Sequence, residues 1–439
     1  MKLSDYIKNK LPMWPNWINH ILLRLNVFGG MVYGKSYSHF RKHINDEDPE
    51  KLLLNSVNFA IKNVPYYRNK YGNITINSYE EFREKISFID KDEVMAHWDD
   101  FLVDNIDWNK VVTGTTGGTS GKPLKLVTPK NRYSWELAYM HSLWEKVGWH
   151  YHLTGMIRNH DLQGRDYAIN PIMRNVIFDP NRMSEEYAKK VYKILKRYRI
   201  KYVIAYPSNT YQFCKLCQKQ NLDLSFIKSF LCGSEGVTEE QKSFFDRNNI
   251  KILTFYGHSE KLILGSNDAK IWDFKMESNY GYCELIGKDG KQVNKPGVLG
   301  ELTGTTFYNN YFPLIRYRTG DYATLGKTGR YIELSNIIGR WDKSLVYKMD
   351  NTTTSLTVMN LHSDFYEHID GIQFLQEKKG YIKVLLIKNN GYTEKDESFI
   401  IDHLANAMGG REYVKIEYVN RLIIQPNGKF LPLISCIGQ

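Results

Sequence analysis

The spacing of apolar and polar positions changes character twice along the chain. Residues 50–71 carry apolar side chains at helical intervals, punctuated by Pro65 and Gly72. LKLVTP (124–129) has the texture of a strand, and NRYSWELAYMHSLWEKVGW (131–149) returns to helical periodicity with Gly148 near its end. From 184 the alternation is clearer. SEEYAKKVYKILKRYRI predicts a helix with Ser184 as N-cap and two acidic residues in its first turn. KYVIAYP follows as a buried strand, SNTYQFCKLCQKQN as a second helix and IKSFLCGSEG as a strand ending in a glycine turn. TEEQKSFFDRNN opens with Thr238 and Gln241 at capping-box spacing, and IKILTFYGHSE is another strand. Such repetition implies a parallel sheet with right-handed crossovers, with ligands beyond the C-terminal strand ends, where CGSEG and YGHSE fall.

After 280 the pattern shortens to strands and turns (YGYCELIGKDGKQV, GELTGTTF, PLIRYRTGDYATL), predicting a β-rich subdomain. From about 340 a strand (KGYIKVLLIKN), a helix (EKDESFIIDHLANAMGG) and a strand (YVKIEYVN) predict a small α+β unit, with GRWDK (339–343) as the junction. The expected fold is therefore α/β. A large N-terminal domain, 1–338, has parallel sheets with flanking helices plus the β-rich subdomain, and a small α+β C-terminal domain spans 339–439. The length of 439 residues suits more than one core.

Composition adds little to that outline. The chain is 42% hydrophobic and 24% charged, as ordinary globular proteins are. Its formal charge of +11 favours anionic ligands such as nucleotides, nucleic acid or an anionic membrane face, or else reflects lysines spread over a solvated surface. No helix-turn-helix, zinc-finger or RNP signature accompanies the charge, so nucleic acid is not an expected partner. The five cysteines (Cys214, Cys217, Cys232, Cys283, Cys436) are scattered and odd in number, which argues for a reducing compartment. Cys214 and Cys217 share a helical stretch with no second Cys/His pair at zinc-finger spacing. The first residues lack the apolar run of a signal peptide, so the expected location is cytoplasmic. That basic, Trp-containing opening suits a membrane surface, and equally a helix laid over the domain it precedes.

Residues 113–123, TGTTGGTSGKP, hold four glycines, five Ser/Thr hydroxyls and one lysine. Backbone N–H groups of such a loop can converge on an anion, the hydroxyls add donors, and Lys122 supplies charge. It is not a Walker A loop: Thr116 stands where that pattern needs glycine, Pro123 follows the lysine, and a strand comes next.

TTGGTSGKP at 115–123, GSE at 233–235, YGHSE at 256–260, GEL at 300–302, YRTGD at 317–321, GRWDK at 339–343 and a near-terminal GK at 428–429 occur in that order. Together they resemble the adenylate-forming superfamily of acyl-CoA synthetases and adenylation domains. VNFAIKNVPYYRNKYG and the IRYRTGD form look like its phenylacetate–CoA ligase branch, and closest to the CapK-like capsule-biosynthesis subgroup. The resemblance runs from about residue 50 to the C-terminus.

It implies an AMP-forming ligase that joins a carboxylic acid to the α-phosphate of ATP and passes the acyl group to an acceptor. By the same resemblance Thr115, Thr116, Gly117, Thr119, Ser120, Gly121 and Lys122 would hold the β- and γ-phosphates. Glu260 would bind Mg²⁺, a hard ion suited to a carboxylate. Gly233, Ser234, Glu235, Tyr256, Gly257 and Ser259 would line the nucleotide slot, and Asp321 would accept both ribose hydroxyls. Arg340 would reach ribose or phosphate, Asp342 would sit at the hinge, and Lys429 would swing in on a mobile small domain to offset charge at the reacting oxygens. Arg318 is expected to brace the domain junction.

Two departures qualify the picture. Thioester-forming members commonly carry glycine several residues after the hinge GR, where this chain has Met349, followed by Asp350 and Asn351. Methionine there would put a flexible side chain in the path of an extended thiol, which favours an amine or hydroxyl acceptor in surface-polysaccharide synthesis over CoA. A CoA ligase releasing a free thioester is the alternative reading. Some phenylacetate-ligase relatives also place a Cys/His cluster between the YG-x-[ST]-E and GEL motifs. Here that interval holds only Cys283, so no structural zinc is expected. Tyr139, Trp144, Trp149, Tyr206 and Tyr211 suit either an apolar slot for an aromatic acid or helix-face core. His160 and Arg165 are candidates for a second charge on a polar acid. A homodimer is the default assembly.

Overall fold

The computed structural model describes residues 11–25, 34–44, 46–115, 124–158, 160, 162–268, 271–327, 332–340, 345–349, 353–355, 359, 361, 368–425 and 430–437. The chain forms two compact units: one of 1–28, 151–252 and 339–439, the other of 29–150 and 253–338.

In the second unit, the helical stretch 50–71 is two helices, Pro49–Asn63 and Pro65–Tyr71, because Pro65 takes the N1 position of a new helix and lacks the N–H to continue the old one. Gly72, at φ 66°, closes the second helix in a conformation that favours glycine. Helix Arg132–Glu145 follows the hairpin of Val111–Thr115 and Lys125–Pro129. Antiparallel strands run in the order Gly281–Ile286, Leu299–Thr306, Tyr317–Lys327, Glu333–Arg340, Phe274–Met276, Leu264–Asn267 and Ile252–Gly257. They pack on a core of Leu53, Val57, Phe82, Phe101, Leu262, Leu302, Phe312 and Leu325.

In the first unit, Ser229–Gly233, Tyr202–Ala205, Thr154–Ile157 and Asn175–Phe178 are parallel, and Ala168–Asn170 adds antiparallel at the edge. The caps read from sequence are formed. Ser184 accepts from the Tyr187 N–H at the head of helix Glu185–Arg197, and Thr238 and Gln241 make a reciprocal capping box on Glu239–Arg247. Cys214 and Cys217 are buried in helix Pro207–Lys219, where burial pushes the Cys217 thiol up to about 12, the behaviour of core residues rather than reactive ones. The strand Ile252–Gly257 takes its place beside Ser229–Gly233, and on its other edge pairs antiparallel with Leu264–Asn267.

Residues 369–435 of the same unit form a four-stranded sheet in the order Val414–Tyr418, Ile382–Lys388, Ile369–Gln376, Leu433–Ser435. Helix Glu394–Met408 ends on Gly409 in the left-handed conformation and supplies Ile400 and Leu404 to a separate small core with Ile369, Val384 and Leu386.

Candidate active site

The strand Tyr317–Lys327 opens with the YRTGD motif. Arg318 donates through Nε to Glu301 Oε2 at 2.7 Å, and Glu301 Oε1 also accepts the Gly320 N–H at 3.1 Å. Thr319 Oγ1 donates to the Leu302 carbonyl at 2.7 Å and accepts the Asp321 N–H at 3.1 Å. The RTGD turn is thereby held rigidly on the neighbouring strand Leu299–Thr306, and Gly320, at φ 74°, supplies a backbone shape disfavoured for other residues. On this turn Asp321 Oδ2 accepts the Tyr256 hydroxyl at 2.7 Å. Burial first, and the Asp321 charge beside it second, push the Tyr256 hydroxyl well above its ordinary range, so it stays protonated as a donor.

Just past Tyr256, Gly257 and Ser259 are exposed, while Glu260 Oε2 lies 3.2 Å from His258 Nδ1, both side chains being largely covered. His258 Nε2 is buried and meets no hydrogen-bond partner among the described residues. No group of three or more His, Cys, Asp or Glu among the described residues forms a protein-only metal cage. Glu260 offers a single carboxylate, the donor chemistry of a Mg²⁺ ion that takes its other ligands from water and phosphate oxygens.

In the first unit, Ser234 takes φ 69°, an uncommon conformation for a residue with a side chain, and Glu235 follows it. The Glu235 carboxylate caps the start of helix Pro207–Lys219, accepting the Ser208 N–H at 3.2 Å and its hydroxyl at 2.7 Å. Its other oxygen accepts the Phe430 N–H at 2.7 Å. Phe430 is the residue after Lys429, so the carboxylate tethers the segment that carries the candidate catalytic lysine.

Thr115 and Arg340 close the strands Val111–Thr115 and Glu333–Arg340. The strands flanking the glycine loop pair with Thr115 opposite Lys125. Thr116, Gly117, Thr119, Ser120, Gly121, Lys122, Asp342 and Lys429 lie outside the described residues. Met349 is exposed and lies against the Gly380 turn, where any β-carbon would overlap its thioether.

Tyr139, Trp149, Tyr206 and Tyr211 are buried, and the first and last spend their hydroxyls on the Asn279 carbonyl and on Glu240. His160 Nδ1 sits 2.5 Å from the Arg158 carbonyl, and Arg165 is occupied with the Pro12 and Met13 carbonyls. Sequence reasoning missed Glu301, His258 and Ser208. The first lies in the GEL motif and the second inside YGHSE, so both had a signal. Ser208 had none beyond its place at a helix start.

Residues 345–435 match the family described as the CapK C-terminal domain. Along 97% of this chain and 98% of the other, the sequence is 23% identical to Protein CapK of Staphylococcus aureus. It is 26% identical to phenylacetate-coenzyme A ligase of Pseudomonas putida over 38% of this chain and 40% of that one. It is also 26% identical to indoleacetate–lysine synthetase of Pseudomonas savastanoi over 34% and 36%. Among solved structures, 2-hydroxyisobutyryl-CoA ligase in the postadenylation state superposes with a TM-score of 0.65 at 13% identity, covering 88% of this chain and 89% of that one.

Proposed function

We propose, from the premise that this chain belongs to the adenylate-forming superfamily on its phenylacetate–CoA ligase-like, CapK-like side, that it activates a carboxylic acid with ATP and transfers the acyl group to an amine or hydroxyl. The observation that carries this reading is the rigid turn that offers Asp321 beside the Tyr256 hydroxyl. A carboxylate so held accepts two hydrogen bonds from a ribose diol at little entropic cost.

In this reading the substrate carboxylate attacks the α-phosphate, a mixed anhydride forms, and the bond to pyrophosphate breaks. Nucleotide-bound Mg²⁺ supplies charge neutralisation between the two anions. Glu260 would hold the ion, the hydroxyls and amides of 115–121 with Lys122 would hold the β- and γ-phosphates, and Gly233, Ser234 and Tyr256 would border the purine. Lys429 and Arg340 would offset the charge on the reacting oxygens. Residues 339–439 would act as a mobile lid, and its movement requires the Phe430 N–H to leave Glu235. A relative that conjugates indoleacetate to lysine supports an amine acceptor, and Met349 at the hinge-proximal position argues against a pantetheine path. A role in surface polysaccharide synthesis rests on likeness to Protein CapK alone.

Pyrophosphate release from ATP and Mg²⁺, measured across aromatic, aliphatic, sugar and amino acids with and without CoA, tests the reading. Release that depends on one acid and is unaffected by CoA supports it. Turnover only with CoA makes the protein a thioester-forming ligase and removes the argument from Met349. No release with any acid, together with ATP affinity unchanged in Asp321→Ala, overturns the proposal.

A further inference from the structure

The helix Asn16–Arg24 buries an asparagine and leaves an apolar stripe outside. A helix on a protein surface ordinarily buries its apolar stripe and wets its polar one. Here Asn19 is fully buried, and its amide donates to the Leu11 and Ile169 carbonyls at 2.7 and 3.0 Å. Asn16 donates to the Tyr167 carbonyl at 2.9 Å, and His20 packs edge-on against Tyr198. The outward face carries Trp17 and Leu25, 67% and 68% exposed, with Ile21 between them at 47%. Positions 17, 21 and 25 are four residues apart, so they form one stripe along the helix. Met13 and Trp14, in the turn that leads into the helix, extend the stripe, and Arg165 pins that turn through the Pro12 and Met13 carbonyls. Asn16 and Asn19 fix the helix to its own unit by hydrogen bonds, Ile18, Leu22 and Leu23 are half-buried, and the stripe of Trp17, Ile21 and Leu25 is left facing outward.

Charge says what that is. Residues 11–25 contain no Asp or Glu, and Arg24 is exposed in the last turn. Arg24 and Arg197 both lie close enough to His20 to act on it electrostatically, and Arg197, Lys196 and Arg199 are exposed at the end of helix Glu185–Arg197. The whole chain is at +11. Exposed aromatic and aliphatic side chains on a stretch without acidic residues, with exposed cations on the same helix and at the end of Glu185–Arg197, match the boundary between lipid headgroups and acyl chains. A nine-residue helix spans about 14 Å, too short to cross the ~30 Å hydrocarbon layer, and so would lie in its surface. No described helix is long and apolar enough to cross a membrane.

We infer that the Met13–Leu25 face docks the protein onto an anionic lipid bilayer surface. This goes beyond the ligase reading and is independent of it. The full-length protein should be centrifuged with sucrose-loaded vesicles of phosphatidylcholine alone and of phosphatidylcholine with about a third phosphatidylglycerol. Because all three target side chains point outward, the triple variant Trp17→Ser, Ile21→Ser, Leu25→Ser should keep its unfolding midpoint. It should bind anionic vesicles at least about tenfold less than the parent. Arg24→Glu with Arg197→Glu should weaken binding to the anionic vesicles, and added salt should do the same to the parent. Equal binding by parent and triple variant overturns the inference, as does a parent that binds neither vesicle. So does a parent that stays off vesicles but sediments as a dimer that the triple variant turns into monomer, because the stripe then belongs to a second copy.

Discussion

Arg316 and Arg318 stand two residues apart, each paired with a glutamate, and the pairs are opposites. Arg316 is buried with Glu284, their side chains 7% and 1% exposed. It forks onto both carboxylate oxygens at 2.9 and 3.0 Å, donates to the Arg83 and Ile86 carbonyls, and lies over the Phe88 ring. Four of its five N–H donors are spent inside the fold. Arg318 is half exposed, and its glutamate uses the remaining oxygen to hold the Gly320 amide. The first pair welds the strands to the segment 83–88, and the second holds the RTGD segment that ends at Asp321. Burial, not chemical identity, assigns the roles.

The widest way to separate the two pairs is to remove each arginine. Arg316→Ala leaves Glu284 buried and unpaired, and should cost about 3–5 kcal/mol in urea unfolding. Arg318→Ala should cost less, about 1–3 kcal/mol, because Arg318 is half exposed and the buried Glu301 keeps the Gly320 N–H as a partner. If both variants unfold alike, the contrast fails. Next in size, Asp321→Ala should lower kcat/KM for ATP about 100-fold with the unfolding midpoint unchanged. Glu301→Gln weakens the grip on the turn without touching nucleotide, and about a tenfold loss is expected, carried mainly by KM for ATP. Tyr256→Phe, which deletes one donor to Asp321, should cost roughly threefold in the same measurement.

The smallest effect concerns a buried carboxylate with no arginine. Glu240 accepts the Tyr211 hydroxyl, and burial lifts its carboxyl to about 7 against the opposing pull of Tyr211 and Lys215. A raised carboxyl binds its proton more tightly in the folded state. Its stabilising contribution is complete below the unfolded value and is lost as pH rises through about 7. Glu240→Gln should therefore flatten the fall in stability between about pH 4.5 and pH 7, by on the order of 1 kcal/mol or more. An unchanged pH profile would place that titration elsewhere.

Much of this was legible in the sequence, for local reasons. Ser184, Thr238 and Gln241 cap helices because capping is decided within four residues. The ends of the strands that carry GSE and YGHSE were equally readable from alternation and glycine. What escaped was long-range. Nothing near 301 says that its carboxylate will reach Arg318 and Gly320, and nothing near 208 announces Glu235. The polarity of helix Asn16–Arg24 was hidden for the same reason. Its pattern has two faces, and only the carbonyls of Tyr167 and Ile169 decide which one is inside. The aromatics were ambiguous as a class, and most of those singled out proved to be core because packing claims more rings than ligands do.

The nesting of the two units sets a timetable for synthesis. The first helix anchors to Ile169, which follows it by 150 residues, and its unit is finished only when 339–439 has been made. At translation rates of about 5–20 residues per second, that helix leaves the ribosome roughly 8–30 s before its hydrogen-bonding partner exists. During that interval Asn16 and Asn19 lack the Tyr167 and Ile169 carbonyls, while Trp17, Ile21 and Leu25 have already been made. A nascent chain in this condition would reach whatever apolar surface is nearest before it reaches its own fold.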